Sequence, residues 1–206
     1  MRFQIEFLQQ SGRRFDRAIE YGCGPTLMRA LSAAHHVGQL DMADWHAGNL
    51  ERIRRWHCCA PDADDWSSFA RYALRVNGNP GPVEDLEART RSILGQLLLT
   101  DARQTNPLGV QRRGSYDLLI SGFCVDCFTG SQTEWRQSLA NVFSVLKPGG
   151  CFTIFALREA ACYRVGFEWF PAANISRAML EDALSFARNL RIEECDLPTH
   201  AGQGYE

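Results

Sequence analysis

The sequence has no apolar run long enough to cross a bilayer, and its first residues, Met1-Arg2-Phe3-Gln4-Ile5-Glu6, carry neither the basic head nor the apolar core of a signal peptide. No membrane partner is expected, and a cytoplasmic location is. Charge of one sign is also lacking: 22 Lys and Arg against 24 Asp and Glu leave a formal net charge of -2. Phosphate-binding proteins carry a clear basic excess or patch, and here the runs Arg13-Arg14, Arg52 to Arg55 and Arg112-Arg113 are short and mixed with acids. Nucleic acid is therefore not an expected partner. The eight cysteines are scattered, several inside apolar runs such as Gly122-Phe123-Cys124-Val125, where a reduced cysteine behaves as a small buried hydrophobe. Neither Cys124-Val125-Asp126-Cys127 nor His57-Cys58-Cys59 has a second cluster at zinc-site spacing, so no metal is expected.

What is present is an ordinary globular composition, 45% hydrophobic and 22% charged over 206 residues, enough for one well-filled core. Residues 1–206 are read as a single domain. Near its start, Ala18-Ile19-Glu20-Tyr21-Gly22-Cys23-Gly24-Pro25-Thr26 reads as a strand and a tight Gly-x-Gly turn, followed by a helix over residues 27 to 36. The glycines let backbone pass close to a ligand where a Cβ would intrude. A second strand over Gln39 to Asp44 ends in an acid roughly two dozen residues beyond the turn, where a nucleotide-binding α/β unit needs a carboxylate for a ribose diol. Asp44 also suits the cap of a helix beginning near Ala47.

The remaining order repeats the theme. A helix over residues 3 to 10 precedes the first strand, and a helical insertion at about residues 57–96 separates the second strand from a third over Gln96 to Ala102. A fourth, almost wholly apolar strand covers Tyr116 to Phe123, as a central parallel strand should. A helix from Glu134 to Leu146 is read as closed by Lys147-Pro148-Gly149-Gly150, with a fifth strand over Cys151 to Leu157. Ser176 is expected to cap a helix reaching Asn189, and Arg191 to Cys195 suggests a sixth strand. The expected fold is an open, mostly parallel Rossmann-like sheet flanked by helices, its ligands at the strands' carboxyl ends near Gly22, Asp44, Asp101, Gly122 and Ala156. Its final edge strand is expected to be missing.

Gly22-Cys23-Gly24-Pro25-Thr26, Asp44-Trp45 with Asn49, Asp65-Trp66, Thr100-Asp101-Ala102 with Pro107-Leu108-Gly109, Cys124-Val125-Asp126 and Leu146-Lys147-Pro148-Gly149-Gly150 together resemble the S-adenosylmethionine-dependent small-molecule methyltransferases of the nicotinamide, phenylethanolamine and thioether methyltransferase family, particularly its bacterial branch. The resemblance implies a class I methyltransferase fold, with S-adenosyl-L-methionine as cofactor and a small-molecule acceptor methylated on an amine or heterocyclic nitrogen. It implies that Gly22 and Gly24 pass beneath the methionyl part, with Glu20, Tyr21 and Thr26 close by. It also implies that Asp44 and Asn49 hold the ribose, Trp45 packs on the adenosine, Asp101 and Ala102 lie beside the adenine, and Gly122, Phe123 and Cys124 line the junction with the acceptor. Tyr163 resembles an aromatic of the acceptor pocket.

The resemblance supplies no catalytic residue, because direct in-line transfer from a sulfonium needs alignment more than covalent help. Two departures are visible. Where animal members hold an acid after the fifth strand, this chain has Ala156, flanked by Phe155 and Leu157, which implies a less polar acceptor site. The chain is also apparently shortened at both ends relative to the family. A dehydrogenase would want a third glycine near residue 27, where Leu27 stands. A homologue that binds the cofactor without turnover is the other alternative, and the oligomeric state is open.

Overall fold

A computed structural model describes residues 1–195. Its central sheet holds β1 (Phe15–Tyr21), β2 (Val37–Asp44), β3 (Leu94–Leu99), β4 (Tyr116–Gly122) and β5 (Leu146–Phe155) in the order β3-β2-β1-β4-β5. Every pairing is parallel, so the expected Rossmann-like α/β architecture is the one observed. Both faces are covered, which is why the central strands are apolar almost throughout rather than alternating. Against one face pack α1 (Arg2–Ser11), α2 (Met28–Ala33), α3 (Ala47–His57), α4 (Ser67–Asn77) and α5 (Val83–Ile93), around Ile5, Leu31, Leu40, Met42, Ile53 and Leu118. The other face is closed by α6 (Gln132–Phe143) and α7 (Arg177–Ala183), around Ile19, Tyr21, Leu119, Trp135 and Leu139.

Caps account for several boundaries. Gly12 closes α1 in the left-handed conformation at φ 59. Ser131 accepts from the Glu134 amide at the start of α6, and Ser176 accepts from Met179 at the start of α7. The cap at Ser176 is as expected, whereas α7 ends at Ala183, short of Asn189.

Other expectations need correcting. The helix before β3 stops at Ile93 and the strand runs Leu94–Leu99, leaving Thr100, Asp101 and Ala102 beyond it. Leu94 turns directly from helix to extended backbone and pairs opposite Leu40, with no loop to mark the change. Lys147-Pro148-Gly149-Gly150 does not close α6, which already ends at Phe143; the four residues bulge within β5, between Leu146 opposite Tyr116 and Cys151 opposite Leu118. Proline cannot donate to a ladder and Gly149 has φ +75, so this segment leaves the pairing. Residues 191 to 195 form no strand. Instead, β6 (Cys162–Val165) and β7 (Glu168–Pro171) form an antiparallel hairpin that no sequence pattern announces. Residues 196–206, His200 among them, lie outside the described residues. Among the described residues no helix is long and apolar enough to cross a membrane.

Candidate functional site

The sheet's register sets the site. Asp44 pairs with Leu99, Tyr21 with Ala43 and Ser121, and Gly122 with Phe155, so all five strands end at one level. β1 and β4 are the neighbours at which the strand order reverses, and an open α/β sheet leaves its ligand crevice at the carboxyl end of such a switch. The turn after β1 is anchored there by the amides of Gly22 and Cys23, both donating to the Ala43 carbonyl at 2.8 and 3.1 Å.

The two glycines of that turn meet different surroundings. Gly22 has φ +70, and a Cβ on it would stand 2.2 Å from Cys124 Sγ and 2.4 Å from Cys124 Cβ, so the turn is closed down on the chain leaving β4. Gly24 has φ +58, with nothing within 4 Å of the place a Cβ would take. One glycine is required by packing and the other borders open space. Thr26 completes the turn by donating to the Cys23 carbonyl.

Asp44 organises the adjoining rim. Its Oδ2 accepts from the Gly24 amide at 2.8 Å, and its Oδ1 from the His46 amide and Asn49 Nδ2, each at 2.9 Å. Asp44 therefore ties the turn to the start of α3. It does not cap α3 from inside, because the residue at the cap position is His46. Trp45 follows, 69% exposed. Beyond β3, hydrogen bonding from Arg103 lowers the pKa of the Asp101 carboxyl, while Ala102 is buried with its carbonyl accepting from Asn141 Nδ2.

Two predicted residues are turned inward. Tyr21 is buried and its hydroxyl is paired with Thr100 Oγ1 at 2.8 Å, so only its backbone borders the turn. Glu20 is fully buried with Oε1 on Arg29 Nη1 at 3.1 Å, and Arg29 Nη2 donates onward to the Gly122 carbonyl at 3.2 Å. Glu20 Oε2 has no hydrogen-bond partner among the described residues. Burial pushes this carboxyl up to about 7, against the opposing pull of Arg29.

A group whose folded pKa lies above its ordinary value of 4.5 stabilises the fold fully below that value and loses its contribution as pH rises toward 7. Between these limits Glu20 should cost the fold about 3 kcal/mol of stability. Glu20→Gln, which keeps an acceptor for Arg29, should flatten this part of the profile. Urea titrations between pH 4.5 and 8 measure it, and identical slopes for both chains would remove the assignment.

At the ends of β4 and β5, Phe123 leaves β4 at φ 52 with its amide donating to the Phe155 carbonyl at 2.7 Å, and it is 45% exposed. Its ring lies 6.5 Å from Phe155, which also meets Phe3 edge-on at 6.0 Å and the Arg29 guanidinium at 5.9 Å. Ala156 follows directly, without a charged group. Cys124 is pushed up to about 12 by burial, which keeps it a thiol. Tyr163, on β6, donates to the Cys127 carbonyl at 2.8 Å, and Asp126 Oδ2 accepts from the Leu157 amide at 2.8 Å. These bonds tie the hairpin and the exit of β5 to the 124–127 turn. The Cys127 thiol donates to Asp126, and among the described residues no three metal-ligating side chains converge.

Arg29 and Arg103 carry no sequence expectation, and Asp126 enters the sequence pattern only as part of Cys124-Val125-Asp126, without a role. Arg29 reaches Glu20 and the Gly122 carbonyl, and Asp126 the Leu157 amide, contacts that no local pattern marks; the Asp101-x-Arg103 spacing is the one available signal.

The profile of the NNMT/PNMT/TEMT family matches residues 1–205. The chain is 29% identical to nicotinamide N-methyltransferase of Homo sapiens over 176 residues, 85% of this chain and 67% of that protein. To indolethylamine N-methyltransferase of Oryctolagus cuniculus it is 26% identical over 188 residues, 89% of this chain and 72% of that one. Across eight similar curated proteins the share of the relative's length spanned runs from 57% to 72%. The structure of the CcbJ methyltransferase of Streptomyces caelestis superposes with a TM-score of 0.55, covering 90% of this chain and 82% of that one at 11% identity. That likeness is one of fold.

Proposed function

The chain belongs to the NNMT/PNMT/TEMT family, and from that premise we propose that it is an S-adenosylmethionine-dependent methyltransferase acting on a small molecule, at an amine or heterocyclic nitrogen. The observation that carries this reading is the arrangement at the switch point. The Asp44 carboxylate, the Gly22–Gly24 turn with open space beside Gly24, and Asp101 beyond β3 line one rim. The exposed Trp45 indole fits a ligand with an aromatic base at one end.

S-Adenosylmethionine supplies an activated methyl group that already carries its leaving group. The chain's own residues have the task of holding and aligning. Asp44 and Asn49 hold the ribose hydroxyls, Trp45, Asp101 and Ala102 the adenine, and the backbone of residues 20–26 the methionyl end, with the buried Glu20 side chain holding Arg29 behind it. Gly122, Phe123 and Cys124 form the junction, with Phe155, Ala156 and Tyr163 toward the acceptor. No side chain is assigned as nucleophile or base, since a neutral nitrogen attacks without one. In this reading residues 1–206 are one methyltransferase domain, and α4 and α5 wall the cleft as an insertion.

The test is transfer of labelled methyl from S-adenosylmethionine to a panel of small amines, heterocycles and thiols, beside calorimetry with S-adenosylhomocysteine. Binding with transfer is the expected result. Absence of binding would end the cofactor reading. A second reading, binding without turnover, is favoured by the exposure of Phe123 at the acceptor end; binding with no transfer to any acceptor would select it.

A further inference from the structure

Resting on the cofactor reading above, we propose that Arg103 is an internal stand-in for the adenine base, occupying the adenine subsite until the cofactor displaces it. The guanidinium forks onto Asp101, Nε to Oδ1 at 2.9 Å and Nη2 to Oδ2 at 2.8 Å, while the Arg103 amide also donates to Oδ1 at 3.0 Å. Its Cζ lies 5.7 Å from the centroid of the Trp45 ring. One planar, donor-bearing group thus reaches both partners that an adenine would use, standing over the indole and giving N–H bonds to the carboxylate.

The two sets of contacts exclude one another in this arrangement. A base between the guanidinium and the indole would need about 7 Å from plane to plane, twice a normal stacking contact. The centroid distance of 5.7 Å is too short for that. Arg103 is also half-exposed and sits on a turn beyond the sheet, so it can swing into solvent without disturbing β3. Cofactor affinity is then the difference between the adenine's contacts and those of Arg103. Removing the arginine should tighten binding.

The experiment is calorimetric titration of S-adenosylhomocysteine into the wild-type chain, Arg103→Ala and Arg103→Lys, at low and high salt. Arg103→Ala should bind roughly three- to tenfold more tightly, the worth of an exposed ion pair plus an exposed cation–π contact. Arg103→Lys, with a point charge and no planar fork, should fall between the two. The gap between wild type and Arg103→Ala should narrow with salt as the ion pair is screened. Equal or weaker binding by Arg103→Ala, with the wild type still binding, would overturn the stand-in role alone. Failure of all three chains to bind would overturn it together with the cofactor reading.

Discussion

Alanine at Gly22 should abolish measurable binding of S-adenosylhomocysteine and lower the melting temperature by about 5 to 15 °C. Two effects combine. The residue stands at φ +70, where an L side chain is strained by about 1 kcal/mol. Its Cβ would also meet Cys124 Cβ and Sγ at 2.4 and 2.2 Å, and such overpacking costs about 1–3 kcal/mol more. The Cys124 Cβ is fixed to the backbone, so no rotamer change relieves the clash, and the turn or the exit of β4 must move. A shift of about 1 Å in a positioning element can cost a hundredfold in function. Gly24→Ala is the contrast. With nothing within 4 Å of its Cβ position, it should lose only about 1 kcal/mol of stability while still intruding on the ligand's side of the turn. Thermal melts and calorimetry on both variants separate packing from access. If Gly22→Ala melted and bound like the wild type, the close approach to Cys124 would have no consequence.

Asp44→Ala should weaken S-adenosylhomocysteine binding by about a hundredfold, the worth of two charge-assisted hydrogen bonds to a ribose diol. It should also destabilise the apo chain. The buried carboxylate accepts from the Gly24 amide, the His46 amide and Asn49 Nδ2, and alanine leaves these donors without an acceptor. The expected loss is about 2–4 kcal/mol, less than the sum of separate deletions because the donors share one partner. Asn49→Ala removes one of these donors and one proposed ribose contact, and its effects should be several-fold smaller. Calorimetry and urea unfolding report the two losses separately. Unchanged affinity in Asp44→Ala would confine Asp44 to holding the turn.

The order of strands and helices was readable because each depends on neighbours in sequence. The apolar run of Leu118 to Ile120, the glycines at 22 and 24 and the cap at Ser176 each act within a few residues. Boundaries failed where no local signal exists. Ile93 passes to Leu94 without a turn residue, and the Lys147 to Gly150 segment carries a helix-stop pattern that the structure uses as a bulge in β5. The hairpin of β6 and β7 was missed because four-residue strands give too little alternation to detect.

By itself the sequence determined the parallel α/β architecture, the turn after the first strand and the acid after the second, since each is written in local pattern and spacing. Only the tertiary structure decided that Gly22 is pressed against Cys124, that Arg29 pairs with a buried Glu20 and reaches the Gly122 carbonyl, and that Arg103 joins Asp101 to Trp45. Apart from the Asp101–Arg103 pair, these contacts bring together residues separated by many positions in the chain. Register across the sheet, which no window of sequence contains, is what sets their distances.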